Sequence, residues 1–209
     1  MKLVGSRDQQ VQDFFYDQSG TIATGGTPQL VLPVHPSRSV LMLQNISDTA
    51  MYAQIGSALA TCAITSGVVS SVAVKNAGFN FTLPPVVRFF GGGTLANSSY
   101  LGRGSPGAIS PSNPAQAHAV MTGSGANKSV SSIVIDNGGS GYVSPPMVFL
   151  FNSDLDPNGC ADPSLNSGNG ILLTSGGGTF YMNGTACPTD SVAIFCATTG
   201  KAFTCKYMT

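Results

Sequence analysis

An internal repeat is the feature that most constrains how this chain can fold. Residues 69–90 align without a gap with residues 130–151, and nine of the paired positions are identical, among them Val-Ser-Ser, Asn-x-Gly and Pro-Pro. Glycine allows positive φ in turns, and proline, which cannot donate a ladder hydrogen bond, belongs at strand entrances or sheet edges. We therefore expect one β unit that is built twice.

Each copy reads as a strand, a glycine-containing turn, an aromatic residue, two prolines and a second strand, which predicts a β-hairpin-like unit. The aromatic residue is Phe81 in the first copy and Tyr142 in the second. Ala77 and Asn80 of the first copy replace two glycines of the second, so we expect a distorted turn there. A lead-in strand is predicted before each copy, at residues 60–64 and 117–121.

The composition excludes an ordinary helical protein. The chain of 209 residues contains 26 Gly and 13 Pro, and its acidic residues are all Asp because Glu is absent. Helix surfaces normally carry Glu, Lys, Arg and Gln, whereas this chain uses Ser, Thr, Asn and Gly. Its net charge of 0 gives no basic field for nucleic acid or for an anionic membrane. We therefore predict an all-β protein with neither partner.

Further short strands are predicted on both sides of the repeats. They are apolar or β-branched runs at residues 29–32, 40–45, 51–55, 170–173, 179–182, 191–197 and 202–207. Such a set suits an antiparallel β-sandwich that is jelly-roll-like. The simplest arrangement is a discontinuous sandwich of residues 1–56 plus 166–209. Residues 57–165 are then an inserted module of two β-hairpin repeats, with residues 91–114 as its linker.

The flanking strands resemble a known class of protein. Residues 38–56, which begin Arg-x-x-Leu-x-Leu-Gln-Asn, are together with residues 170–177 and 192–195 similar to small β-sandwich virion proteins of tailed bacteriophages. Residues 139–146, Gly-Ser-Gly-Tyr-x-x-Pro-Pro, resemble a repeat of phage fibre and head-surface proteins. These patterns together cover most of the chain.

The resemblance implies a structural role in the virion. The expected function is that of a capsid decoration or cement protein, which binds the major capsid protein or another virion protein. A tail, neck or fibre component is the alternative. The resemblance also implies a homo-oligomer, a trimer by analogy, that is located in the virion and assembled in the host cytoplasm. It carries over no catalytic, cofactor or metal site, so we expect no enzymatic activity.

The signals for compartment and redox state are mostly negative. The start of the chain lacks the apolar segment of a secretory signal, and no stretch approaches the roughly 18 apolar residues of a spanning helix. An odd number of cysteines favours reduced, buried thiols over disulfides, and their spacing does not fit a zinc site. The cysteines are Cys62, Cys160, Cys187, Cys196 and Cys205.

Three local patterns resemble chemical motifs. Residues 154–162 match the first part of a calcium loop, but Leu165 stands where the loop needs a bidentate Glu, so an ordinary Asp/Asn turn is preferred. Residues 102–107 match a dinucleotide-binding string by letter, but they follow no strand and open no helix. His35 and His118 are the only imidazoles and no nucleophile motif surrounds them, so a hydrolase is the weaker hypothesis.

Aromatic residues concentrate in and around the repeats. Since half of the residues in paired strands must face a core, hydrophobic packing between the two repeats is the preferred interpretation. The alternative is a surface carbohydrate-binding module in which Phe79, Phe81 and Tyr142 stack on sugars.

Overall fold

The computed structural model describes residues 15–93, 111, 113–152, 158–165 and 170–209. Within these ranges the chain is all-β, with antiparallel sheets, short 3-10 turns at Pro163–Leu165 and Gly184–Ala186, and no α-helix. The prediction of an all-β protein with antiparallel sheets is therefore confirmed. No helix in this part of the chain is long and apolar enough to cross a membrane.

The strands fall into two groups. Those outside the repeats are β1 (Phe15–Asp17), β2 (Gly20–Thr21), β3 (Gln29–Leu32), β4 (Val40–Asn45), β5 (Met51–Ile55), β12 (Ile171–Leu173), β13 (Thr179–Asn183), β14 (Val192–Phe195) and β15 (Ala202–Met208). Those of the repeat region are β6 (Leu59–Thr65), β7 (Val68–Asn76), β8 (Val86–Phe90), β9 (Gln116–Thr122), β10 (Ser129–Asn137) and β11 (Met147–Phe151).

The strands outside the repeats form what we call the two-sheet unit. One sheet has the order β1-β15-β4-β13, with β2 also paired to β15, and the other has the order β12-β5-β14-β3. Side chains alternate along β4, so that Leu41 and Leu43 point inwards. They share one hydrophobic core with Met51 and Ile194 of the other sheet. Strands from both ends of the chain therefore hold this unit together.

The strands of the repeat region form a separate six-strand unit. Four of them make the sheet β7-β6-β11-β8, and β9 and β10 make a hairpin. Because β8 also lies beside β9 and β10 lies beside β7, the six strands close into a ring. The ring surrounds a second core, which contains Phe81, Val87, Val130 and Leu150.

The two copies of the repeat are related by an approximate two-fold axis. Val69 N donates a hydrogen bond of 2.9 Å to Gly138 O, and Val130 N donates one of 2.8 Å to Ala77 O. Replacing each residue by its repeat equivalent exchanges these two bonds. Strand β8 pairs with β11, and these two strands are repeat equivalents of each other. The axis therefore passes between them.

The pairing inside each copy differs from the predicted hairpin. The first strand of a copy, β7 or β10, pairs with its lead-in strand, β6 or β9, whereas the second strands β8 and β11 pair with each other. The Pro-Pro pair explains the difference. Two consecutive residues without N–H groups cannot donate the backbone hydrogen bonds that would pair the second strand with the first. The second strand therefore crosses to the other copy.

The prediction of a distorted turn in the first copy is wrong. Asn80 has φ of 60°, close to the 83° of its equivalent Gly141. Asn enters this left-handed region more readily than most residues. Asn76 and its equivalent Asn137 each accept a hydrogen bond on Oδ1 from the amide two residues later, at 3.0 Å and 2.9 Å. The backbone course of the turn is therefore the same in both copies.

The segment between β5 and β12 begins and returns at one place. Ala161 N donates a hydrogen bond of 2.8 Å to Gly56 O, and Gly56 N donates one of 2.9 Å to Ser191 O. The Ser191 hydroxyl donates to Gly159 O at 2.6 Å. The points where the chain leaves and re-enters the two-sheet unit are therefore in direct contact.

Gly92 permits a close approach between backbone segments of the two copies. It has φ of 80°, and its carbonyl accepts a hydrogen bond of 2.7 Å from Val143 N. A Cβ at this position would lie 2.5 Å from Ser144 O, which is closer than real Cβ contacts allow. Gly91 has a similar φ of 77°, but a Cβ there would meet nothing within 4 Å.

We expect Gly92→Ala to lower the free energy of unfolding by about 2–4 kcal/mol, because it adds a steric clash to the strain of a left-handed alanine. Gly91→Ala introduces the left-handed strain without the clash, so it should lower the free energy of unfolding by only about 1–2 kcal/mol. Denaturant unfolding of both variants measures the difference. Equal losses would show that the space at Gly92 is not what requires glycine.

Candidate interaction surface

An apolar patch lies on the outer face of β8 and β11. Side chains alternate along both strands, so that Val87 and Leu150 enter the core while their neighbours point outwards. The outward apolar side chains are between 41% and 63% exposed, and we call them the aromatic patch: Val86, Phe90, Met147, Phe149 and Phe151.

The three phenyl rings of the aromatic patch touch one another. The centroid of Phe90 lies 5.3 Å from that of Phe149 and 6.4 Å from that of Phe151, both edge-on. Phe149 and Phe151 stack at 6.0 Å. These separations are those of favourable aromatic pairs. The rings thus form one continuous apolar surface that joins the two copies.

A positive charge stands in the middle of this surface. Arg88 lies directly opposite Phe149 in the register of β8 and β11, and its side chain is exposed. Both ion pairs of the described residues lie elsewhere, between His118 and Asp136 and between Lys201 and Asp48. Single exposed apolar side chains are normal on proteins, but a contiguous cluster marks an interaction surface.

Two equivalent grooves flank β8 and β11. The first, of about 720 Å³, lies between β6 and β11 and is lined by Cys62 and Lys75 among others. The second, of about 560 Å³, lies between β8 and β9 and is lined by His118 and Asp136. Asp136 is the repeat equivalent of Lys75, so the grooves share a position in the fold and this one equivalent position carries opposite charges in the two.

The two histidines do not form a site together. His118 is exposed on β9, and its Nδ1 lies 2.8 Å from Asp136 Oδ1. His35 lies in the two-sheet unit, where its ring centroid is 6.0 Å from that of Tyr207. Its Nδ1 is buried without a hydrogen-bond partner among the described residues. Among the described residues neither imidazole is hydrogen-bonded to a hydroxyl or thiol.

The cysteines are free thiols, and all but Cys62 are buried. Burial raises the pKa of Cys160 to about 12. Burial likewise raises the pKa of Cys205 to about 12, although the nearby Arg38 charge opposes the rise. Both thiols are therefore protonated at neutral pH and are weak nucleophiles. Their packing indicates a structural role.

The remaining motifs are only partly visible. Residues 102–107 and 154–157 lie outside the described residues. Asp162, at the end of the candidate calcium loop, accepts a hydrogen bond of 2.8 Å on Oδ1 from Ser164 N, and its own N donates to Asn76 Oδ1 at 2.9 Å. No group of three or more metal-ligating side chains occurs within the described ranges.

The aromatic residues proposed as sugar platforms are largely inside the fold. Phe81 and Tyr142 are buried, so the stacking hypothesis is wrong for these two residues. Phe79 is half-buried, and its backbone pairs with that of Cys160. The Tyr142 hydroxyl accepts a hydrogen bond of 2.8 Å from the buried Ala115 N. It satisfies the backbone immediately before β9, the lead-in strand of the second copy.

Tyr142→Phe is expected to lower the free energy of unfolding by about 1–3 kcal/mol, because it leaves the Ala115 N–H buried without an acceptor. The ring itself fits, since phenylalanine occupies the equivalent position 81. Tyr181→Phe removes an exposed hydroxyl and serves as the matched control, with an expected change within about 0.5 kcal/mol. Thermal unfolding of both variants tests this, and an unchanged stability for Tyr142→Phe would contradict it.

The aromatic patch was not predicted as a surface, although the sequence holds a signal for it. Strands β8 and β11 read Val-Val-Arg-Phe-Phe and Met-Val-Phe-Leu-Phe, which are apolar at nearly every position. A strand with one solvent-exposed face should alternate between apolar and polar side chains. The lack of alternation indicates that the outer face is also made to be covered. No family model, curated protein or solved structure matches the chain.

Proposed function

We propose that this protein is a structural component of a phage virion that binds and stabilises the outer surface of the capsid as a decoration or cement protein. The observation that carries the proposal is the aromatic patch, whose contiguous exposed rings need a protein partner to remove them from water. The resemblance of the flanking strands to phage virion proteins supports the location. The major capsid protein, or another virion protein, is the proposed partner of the protein as a whole, and the aromatic patch is the assembly surface on which attachment depends.

The connection order of the two-sheet unit supports this proposal. Counting β1 and β2 as one edge strand gives eight strands, and successive strands of the chain lie in opposite sheets on both sides of the insertion. This alternation is that of a jelly roll, an architecture common in viral capsid proteins and lectins. We therefore interpret the unit as a jelly roll whose connection between β5 and β12 carries the six-strand unit.

The chemistry of the described residues also favours assembly over catalysis. His118 is engaged with Asp136, and the thiols of Cys160 and Cys205 are buried and protonated. Five exposed apolar side chains instead gather on β8 and β11, where the pairing of the two strands fixes their positions. A rigid, weakly charged surface gains affinity by burying area against a neighbour.

Particle fractionation with matched variants tests the proposal. Val86 in the aromatic patch and Val134 on β10 are 43% and 44% exposed, so replacing either by lysine makes the same chemical change at the same exposure. We expect the wild type and Val134→Lys to remain with purified particles. Val86→Lys should be lost or strongly reduced, because burying an unpaired lysine opposes binding.

Two outcomes would contradict the proposal. The first is that the wild-type protein is absent from particles that are otherwise complete. The second is that both lysine variants stay attached equally well, which would remove the patch from the attachment. Separating heads from tails before the assay distinguishes capsid attachment from the alternative of a tail, neck or fibre component.

A further inference from the structure

We infer that the aromatic patch binds the same patch of a second copy, so that the protein forms a two-fold dimer through β8 and β11. This inference rests on the proposed function in treating the patch as an assembly surface, and it adds the identity of the partner. The argument depends on how the two strands are paired within the chain.

The register places unlike side chains opposite one another. Across the two strands Phe90 faces Met147, Arg88 faces Phe149 and Val86 faces Phe151. Each cross-strand pair therefore combines one aromatic ring with one aliphatic or cationic side chain. The central pair, Arg88 and Phe149, lies on the internal two-fold axis because these residues are repeat equivalents.

A second copy can dock face to face with its two-fold axis parallel to the strands. This rotation places β8 of one molecule over β11 of the other. Each patch residue therefore meets, in the second molecule, the residue type that lies opposite it across the two strands. Phe90 then packs on the Met147 thioether of the second copy, and Phe151 packs on Val86. Aromatic rings make favourable contacts with thioether and aliphatic groups. Every ring on the surface gains a complementary neighbour.

The charge of Arg88 selects this orientation. In the arrangement just described the guanidinium lies over the Phe149 ring of the second copy, and each dimer contains this cation–π contact twice. An axis perpendicular to the strands would instead bring the two Arg88 side chains together, and like charges oppose burial. The net charge of 0 adds no general repulsion between copies.

Self-association through one shared patch is isologous and closes after two copies. The expected state is therefore a dimer, in place of the trimer that the family resemblance implies. Because the patch is buried between the two copies, other surfaces of the dimer contact the capsid. A dimer presents these surfaces to the lattice twice, so its attachment gains from effective concentration. Loss of pairing would then weaken attachment as well.

Sedimentation equilibrium of the full chain over a range of concentrations tests the inference. We expect a dimer for the wild type and for Val134→Lys. Phe149→Lys places an ammonium against Arg88 of the second copy, so the dimer Kd should rise by about 30-fold or more, as for a central interface residue. Combining it with Arg88→Glu turns that repulsion into an attraction, so the double variant should recover most of the dimer. Circular dichroism checks that each variant is folded.

The outcomes separate the inference from the proposed function. A monomer or a trimer for the wild type overturns the dimer, as does a dimer that Phe149→Lys leaves intact. Failure of the double variant to regain the dimer overturns the docking of Arg88 on Phe149. A dimer that is absent from virions upholds the inference and contradicts the proposed function, whereas a monomer bound to capsids does the reverse.

Discussion

Replacing Arg38 by methionine is expected to lower the free energy of unfolding by about 3–5 kcal/mol, enough to lower the melting temperature by about 10 °C. Arg38 is buried, and its two terminal nitrogens donate hydrogen bonds of 2.8 Å to the carbonyls of Pro33, Pro188 and Asp190. These bonds tie the connection between β3 and β4 to the segment before β14. Methionine preserves the stem but leaves three carbonyls without their donor.

Backbone carbonyl groups, and not a carboxylate side chain, stabilise the charge of Arg38. Burial lowers the pKa of its guanidinium, and the Tyr207 ring, 5.8 Å away, covers it. Arg38→Lys keeps the charge but loses the planar fork, so its stability should fall between those of the wild type and Arg38→Met. Lys206→Met removes an exposed cation and should change stability by less than about 0.5 kcal/mol. Denaturant unfolding of the three variants would refute this account if all of them unfolded alike.

Excising residues 57–160 and joining Gly56 to Ala161 through a short Gly-Ser link should leave a cooperatively folded two-sheet unit. The two residues are already joined by the hydrogen bond from Ala161 N to Gly56 O at 2.8 Å, so the link has little distance to span. The entropic cost of closing a loop depends only weakly on the length of the loop, so we expect the fold to tolerate the removal of a long insertion. The excision sacrifices the two hydrogen bonds between Asn76 and Asp162 and the one that the Ser191 hydroxyl donates to Gly159 O.

Truncation after Phe151 should have the opposite result. It removes β12, β13, β14 and β15, and β14 and β15 are central strands that each pair on both sides. Leu41, Leu43 and Met51 would then lose most of the core that buries them. Far-ultraviolet circular dichroism with thermal melting compares the excised chain, the truncated chain and residues 1–56 alone. If residues 1–56 fold alone while the excised chain does not, the nested arrangement is wrong and the chain is a linear row of β units.

Much of the strand pattern could be read from the sequence because the strands are apolar runs between strong turn formers. The bounds predicted at 29–32, 40–45 and 51–55 are those of β3, β4 and β5. Strands β1 and β2 were not predicted. They are short edge segments, and Tyr16, Asp17, Gly20 and Thr21 are exposed, so no buried face marks them in the sequence.

The pairing between the copies could not be read in the same way. Local sequence indicates that 86–90 and 147–151 are strands, but it does not indicate that they pair with each other. Such register depends on contacts between residues far apart in the chain. The conformation of Asn80 was missed for a different reason, since its substitution for glycine is conservative in the left-handed region and not disruptive.

The aromatic patch could be predicted from the sequence only in part. Core packing correctly describes Phe81 and Tyr142, which are buried, but Phe90, Phe149 and Phe151 stand on the other face of the ring. Which aromatic residues face outwards depends on the register of β8 and β11, so the patch becomes visible only once that pairing is known. The apolar character of both faces is nevertheless present in the sequence of the two strands.

Electron microscopy of intact particles that contain this protein tests the central claim most directly. The account predicts density on the outside of the capsid into which the two-sheet unit and the six-strand unit both fit. The six-strand units of neighbouring copies should meet through β8 and β11. Particles that lack this density on head, neck and tail alike would contradict the structural virion role. Density in which the aromatic patch faces solvent would contradict its role as the assembly surface.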